Sequence, residues 1–262
     1  MWSLIKSEWL KMRRCQILLV GIVAVALCPV VQYGTQLVIR PDLRDPNYDM
    51  AHLFANVIWG NTQIFIPISL VMIGGWLIDR EAANDTMKNL LTVPVSLPRL
   101  LGAKLIVTAM LAFLFGLYSV GVTVLTGVIA ELPGLTIGTV LGCGLQVVWA
   151  VLTTYLVCMP MILIFGQIRG AYLGGAILTF FLGYSMLFFK SGVLLSAYPF
   201  SAALILAGFD MEEYNGATTQ PSLLLAAAGM AFVILATALI LKMSRPGKQR
   251  KPGVKKRAGR RR

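Results

Sequence analysis

Long apolar runs and short polar intervals alternate along this chain. The runs cover about residues 17–39, 53–78, 105–130, 135–165, 171–189 and 222–241. Each is continuous rather than alternating, which reads as a membrane-spanning helix and disfavours a barrel strand. The expected fold is an all-α polytopic membrane protein with six transmembrane helices. The fourth run is too long for one straight crossing at ~1.5 Å per residue, so part of it must tilt or project. Pro29 is expected to kink the first run. Gly138 and Gly142 form a GxxxG pair, and Gly170, Gly174 and Gly175 give the fifth run a small-residue face; both patterns suit close helix packing.

The remaining intervals have patterns of their own. In residues 1–16, Trp2, Ile5, Trp9 and Met12 recur at helical spacing among Lys6, Lys11, Arg13 and Arg14. That pattern predicts an amphipathic elbow helix lying in the membrane interface. A cleaved signal peptide is the competing reading. It is disfavoured because the apolar run continues past a short core to Val31, and Val25-Ala26-Leu27-Cys28 lacks a small residue before the cysteine.

Between the second and third runs lies a polar interval, residues 79–104. Arg80, Glu81, Asp85 and Lys88 fall on one side of a helix there, and Met87, Leu90 and Leu91 on the other. Asn84 or Asp79 is suited to cap it, and it should stop before Pro94. Ser96 is placed to cap a new helix with Pro98 in its first turn. The outcome is a short helix flat on the membrane surface, followed by a bend and re-entry. By spacing alone it is either a handle for a soluble motor or a plain interfacial connector.

Composition agrees with a membrane protein: 57% of residues are hydrophobic and 13% charged, where a soluble domain is about a quarter charged. The net charge of +12 invites a nucleic-acid reading, but its distribution argues against one. With six crossings, every Lys and Arg except Arg40, Arg44 and Lys190 falls on one side. By the positive-inside rule both termini are cytoplasmic in a multi-pass membrane protein. Residues 243–262 form a basic tail whose composition reads as disordered and suited to anionic lipid.

Residues 192–206 are apolar but short, and contain Ser196, Pro199 and Ser201. Counting them as a crossing would strand the basic tail outside. They are expected instead to form a re-entrant or outer-interface hairpin broken at Pro199, followed by Asp210, Glu212 and Glu213. In the second run, Asn61 and Gln63 sit two apart and so do not share a face. That leaves open whether one points at a pathway while the other bonds to a neighbouring helix. His52 reads as a loop residue. The four cysteines, 15, 28, 143 and 158, lie in or beside apolar runs with no CxxC, so neither a disulfide framework nor a zinc site is supported.

The chain has no nucleophile–base pair, no HExxH and no GxxxxGK[ST], so it is not expected to be an enzyme. The expected span interiors contain no ionisable residue for proton or sodium coupling. Active transport would need energy from outside the chain.

Glu81, Thr86, Leu90-Leu91, Pro94-Val95-Ser96, Arg99 and Lys104 together resemble the signature between the first two hairpins of type-2 ABC exporter permeases. The resemblance is greatest to the lantibiotic-immunity and bacitracin-resistance permeases. Leu97-Pro98 departs from the pattern, where a second basic residue often stands beside Ser96. The resemblance implies that the flat helix is the coupling helix, with Arg80, Glu81, Asp85, Thr86, Met87, Leu90, Leu91, Pro94 and Arg99 at the ATP-binding subunit. It also implies extracellular gate helices before the last span, here Pro199, Asp210, Glu212 and Glu213. The implied partners are two ATP-binding subunits, which hold ATP and Mg, and a second permease, identical or related; no cofactor is expected in this chain. The expected outer charge, seven acids against three bases, favours a cationic amphiphilic peptide as substrate. Another amphiphilic drug or lipid, or a non-transporting channel or scaffold, is the alternative.

Overall fold

The computed structural model describes residues 2–12, 15–40, 46–83 and 96–244. Among them every regular element is helical. In chain order these are α1 (Trp2–Met12), α2 (Ile17–Val38), α3 (Met50–Gly60), α4 (Ile66–Ala83), α5 (Leu97–Ile129), α6 (Ile137–Gly166) and α7 (Tyr172–Ser185). Three short helices follow, α8 (Gly192–Ala197), α9 (Pro199–Leu206) and α10 (Met211–Asn215), and then α11 (Leu223–Met243).

Five stretches are long and apolar enough to cross a membrane: Ile17–Val38, Met50–Arg80, Leu97–Ile129, Ile137–Gly166 and Leu223–Met243. The sixth expected crossing is shorter. It consists of α7, 14 residues long, extended by a 3-10 turn, Met186–Phe188. An α-helix of that length rises about 21 Å, against a hydrocarbon core of about 30 Å. The expectation of six spans therefore becomes five full-length helices and one short apolar helix. Burial ranks them. Of the most apolar window, 72% is buried in Met50–Arg80 but only 22% in α2 and in α11. The α3–α4 rod is the centre of the bundle, and α2 and α11 are its edges.

The rod is interrupted. Asn61–Phe65 forms a π turn, in which the Ile66 N–H reaches back five residues to Asn61 O. Pro67, two residues further on, favours it without imposing it, since Pro29 and Pro160 are carried inside α2 and α6. Pro67 has no N–H to offer Gln63 O, and its ring would clash with that carbonyl in a regular α-helix. The freed carbonyl is covered by Gly183 of α7, where a Cβ would stand only 2.4 Å from Gln63 O. By contrast, α2 runs unbroken through Pro29.

α5 begins at Leu97 with Pro98 in its first turn, as expected, and runs on without a break into the third apolar run. Ser96 stands at the N-cap position, but its side chain makes no capping bond. Asp79 caps nothing, because it lies inside α4. His52 is likewise helical, in the first turn of α3, which Asp49 caps by accepting from the His52 N–H at 3.0 Å. The Gly138/Gly142 pair is exposed, and a Cβ at either would meet no other helix within 4 Å among the described residues. Gly175 does pack, against Phe165, whereas Gly174 meets nothing within 4 Å.

After α7 the chain turns back into the bundle. α8 and α9 make a hairpin with its corner at Tyr198–Pro199. The Tyr198 hydroxyl donates to Leu182 O at 2.6 Å, and Ala197 O lies against Gly229, well inside α11. α9 then climbs antiparallel to α6: Thr153 Oγ1 donates to Ala203 O, Trp149 Nε1 to Leu206 O and Gln146 Nε2 to Gly208 O. The mouth of the hairpin is closed by the Thr218 N–H on Lys190 O at 2.9 Å and the Gly192 N–H on Thr219 Oγ1 at 3.1 Å.

Candidate functional site

At the end of the bundle where Lys11, Arg80, Arg99, Lys104 and Arg169 gather, four segments meet around the foot of α4. The centre is an ion pair. Lys104 of α5 and Glu8 of α1 are each only 1% exposed. Lys104 Nζ donates to Glu8 Oε2 at 3.0 Å and to Leu77 O of α4 at 2.7 Å. Lys11 donates to the other Glu8 oxygen. Burial pushes the Glu8 pKa up, but the Lys104 charge and the bonds from both lysines outweigh it, so the carboxyl sits below the usual glutamate range. A charge buried this deeply persists only when paired and hydrogen-bonded. α1, α4 and α5 are therefore joined at one point.

Two further ties hold the same foot. Asp79, 7% exposed, accepts the Gly170 N–H at 3.0 Å, from the turn between α6 and α7 where Gly170 has a positive φ of 73°. Arg80 stacks over Trp76, 5.1 Å from its ring centroid, and donates to Cys15 Sγ at 3.3 Å. The last turn of α4 thus contacts the N-terminal helix region, α5 and the α6–α7 turn.

Of the residues expected to couple, Arg80 is in this cluster. Glu81 continues the α4 backbone one residue on, and Arg99 is exposed in the first turn of α5. Asp85, Thr86, Met87, Leu90, Leu91 and Pro94 lie outside the described residues. The clamped foot of α4 leads directly into their segment.

The expectation that the spans hold no ionisable residue is corrected here: Lys104 is two turns inside α5. The apolar run begins at Leu105, so from sequence Lys104 reads as a signature residue at its edge rather than inside a span. The role of Glu8 was missed. The buried face of α1 is Ile5, Glu8 and Met12, while Trp2 is 75% exposed. Glu8 holds i, i+3 spacing with Ile5 and is the only acid before the first apolar run. That combination is the signal that could have found it.

Asn61, Thr62 and Gln63 are all buried in the π turn and face three different helices. Asn61 Nδ2 donates to Ser119 Oγ of α5 at 2.9 Å, Thr62 meets Thr154 of α6, and the Gln63 backbone meets Gly183 of α7. Neither Asn61 nor Gln63 shares a face with the other, and both are enclosed by helices.

The residues expected at the outer gate are split. Pro199 opens α9 at the half-buried corner. Asp210 caps α10, accepting from the Glu212 and Glu213 N–H groups at 2.9 and 3.1 Å, and all three acids are exposed. Between corner and acids, Phe209 stacks on Trp59 of α3, with centroids 5.9 Å apart and planes at 14°. Tyr214 lies 6.4 Å from Trp59 and 4.9 Å from Phe209. No local sequence pattern marks this aromatic trio.

A family model described as ABC-2 family transporter protein matches residues 4–186, which covers the clamped foot and the π turn and stops before the hairpin. No curated protein matches this chain.

Proposed function

The chain belongs to the ABC-2 family of transporter proteins and is the membrane subunit of such a transporter; from that premise we propose that it exports a cationic, membrane-active peptide of the lantibiotic type, giving immunity or resistance. Subunits of this family lack an ATPase domain, and ATP is bound by a partner. In our reading, two ATP-binding subunits, holding ATP and Mg, dock on the segment that continues α4, from Arg80 through Glu81 and Asp85 to Leu90, Leu91 and Arg99. A second permease, the same or related, completes the pathway. The basic end faces the cytoplasm, both termini lie there, and the tail beyond Met243 meets anionic lipid.

The observation that carries the reading is the foot of α4. A push on the segment that follows it enters a helix tied to α1, α5 and the α6–α7 turn by buried, charge-assisted bonds. Those elements would move with α4 as a body rather than deform separately. The peptide preference follows from the acids at the opposite end, Asp49, Glu131, Asp210, Glu212 and Glu213.

Gentle extraction from the native membrane, with mass spectrometry of the eluate, tests the class. Recovery of a P-loop protein is expected. Replacing Glu81 or Leu90 should then abolish peptide resistance and partner stimulation while the complex still assembles. Unchanged resistance and ATPase rate would overturn the coupling assignment.

A further inference from the structure

Among the described residues, four buried side-chain atoms have no hydrogen-bond partner: Asn61 Oδ1, Gln63 Nε2, Ser69 Oγ and Asn215 Oδ1. Their placement is not scattered. Three are on the α3–α4 rod, in or one turn beyond the π turn, and the fourth ends α10, beside Tyr214. Buried polar groups are normally satisfied, and a group left unpaired marks an arrangement that another packing could improve. The unpaired groups thus fall on the two elements that the Trp59–Phe209–Tyr214 trio ties together.

We propose that this trio is a latch holding the α8–α10 hairpin against α3, and that it is released when the π turn resolves into α-helix. The inference rests on the transporter reading above. The foot of α4 is anchored by Lys104 and Asp79, so re-registration must be taken up on the Trp59 side. As the surplus residue of the turn passes up α3, the residues it crosses rotate by about 100° and shift by ~1.5 Å, the spacing of one helical residue. Trp59 is two residues before the turn, so it is crossed early. A rotation of that size turns the indole away from Phe209, and aromatic contact depends on geometry.

The hairpin is also built to move as a unit. Its mouth is tied to itself through Lys190 O and Thr218, and Asn215 Nδ2 donates to Phe189 O at 3.0 Å. Released at Trp59, it keeps those bonds. The rod therefore links the clamped foot at one end to the hairpin nearer the other, with one adjustable turn between.

The test uses the chain purified with its native ATP-binding partner in proteoliposomes. Trp59→Cys and Phe209→Cys are combined in a Cys15→Ser, Cys143→Ser background, and a bifunctional methanethiosulfonate replaces the latch covalently. Locking is expected to lower ATP hydrolysis several-fold, with full recovery on adding reductant, which a folding defect would not show. Equal ATPase rates in locked and unlocked protein would overturn the latch. Labelled nisin, followed in the same vesicles, tests the substrate separately: if unlocked complex hydrolyses ATP but moves no nisin, the peptide reading fails while the latch is still decided by the ATPase rate. Pro67→Ala restores the N–H that Gln63 O lacks. It should favour the α register and lower the cross-linking yield; an unchanged yield would remove the π turn from the mechanism.

Discussion

The two halves of the α3–α4 rod are held by opposite physics. At the foot of α4 every buried polar group described has a charged or backbone partner: Lys104 bonds Glu8 and Leu77 O, and Asp79 bonds the Gly170 N–H. Around the π turn, Asn61 and Gln63 each leave an atom unpaired, and the neighbouring tie is a set of ring contacts. Ion pairs buried in low dielectric are strong when intact and costly to half-break. Ring contacts are weaker and reform easily. One rod thus combines a stiff grip with a yielding joint, which is what relaying a push between two ends requires.

Breaking the grip should have the largest effect. Glu8→Leu takes the carboxylate away from the buried Lys104 ammonium, and should destabilise the protein by about 3–5 kcal/mol. Lys104→Met should cost less, because Glu8 keeps Lys11, whose side chain is 40% exposed. The double variant Glu8→Leu/Lys104→Met should recover much of the loss, since neither charge of the pair is then left buried alone. Thermal unfolding in detergent reads all three. The pH dependence has a definite sign. The folded pKa of Glu8 is depressed below its ordinary 4.5, so the pair contributes fully above that value and its contribution is lost as pH falls through the folded one. Wild type should therefore lose stability on acidification more steeply than Glu8→Gln.

Overfilling the joint comes next. Gly183→Ala would place a Cβ 2.4 Å from Gln63 O, a backbone atom that cannot swing aside. Overpacking of this kind costs about 1–3 kcal/mol. On the same helix, Gly174 meets nothing within 4 Å, so Gly174→Ala should be neutral or gain up to about 1 kcal/mol from helix propensity. Equal behaviour of the two variants would mean that α7 does not rest on the freed carbonyl.

What could be read from the sequence divides along the same line. Continuous apolar runs located five full-length helices, and the polar interval from Asp79 to Lys104 located the foot, because both signals are local. The π turn was half legible: Pro67 was visible inside the second run, but its consequence four residues back, at Gln63 O, needed the geometry. The grip was hidden by its own success. Glu8 and Lys104 look like ordinary interfacial charges until the fold brings them together and buries both. The contact of Trp59 with Phe209 and Tyr214 joins positions far apart in the chain, and no periodicity encodes it. The length of α7 misled for a simpler reason, since the apolar run through Phe189 includes a 3-10 turn and an extended residue after the helix ends.

Loosening the ring contacts should be milder than overfilling. Trp59→Leu removes two aromatic neighbours and should cost about 1 kcal/mol, since such pairs add roughly 0.5–1.5 kcal/mol beyond area burial. Limited proteolysis within residues 207–221 should become faster, while the unfolding midpoint moves little.

The smallest effect separates the halves most sharply. Gln63→Met replaces an amide whose Nε2 has no partner with an apolar side chain of similar length. Removing a buried polar group that bonds to nothing relieves a desolvation cost, so the variant should be neutral or more stable by up to about 1 kcal/mol. Asn61→Leu should go the other way by a similar amount, because it forfeits the 2.9 Å bond to Ser119 Oγ. The same exercise at the foot, removing one partner, is expected to be several-fold more damaging. If Gln63→Met instead costs as much as Glu8→Leu, then Gln63 is bonded as tightly as the ion pair, and the rod is stiff along its whole length with no joint for the hairpin to follow.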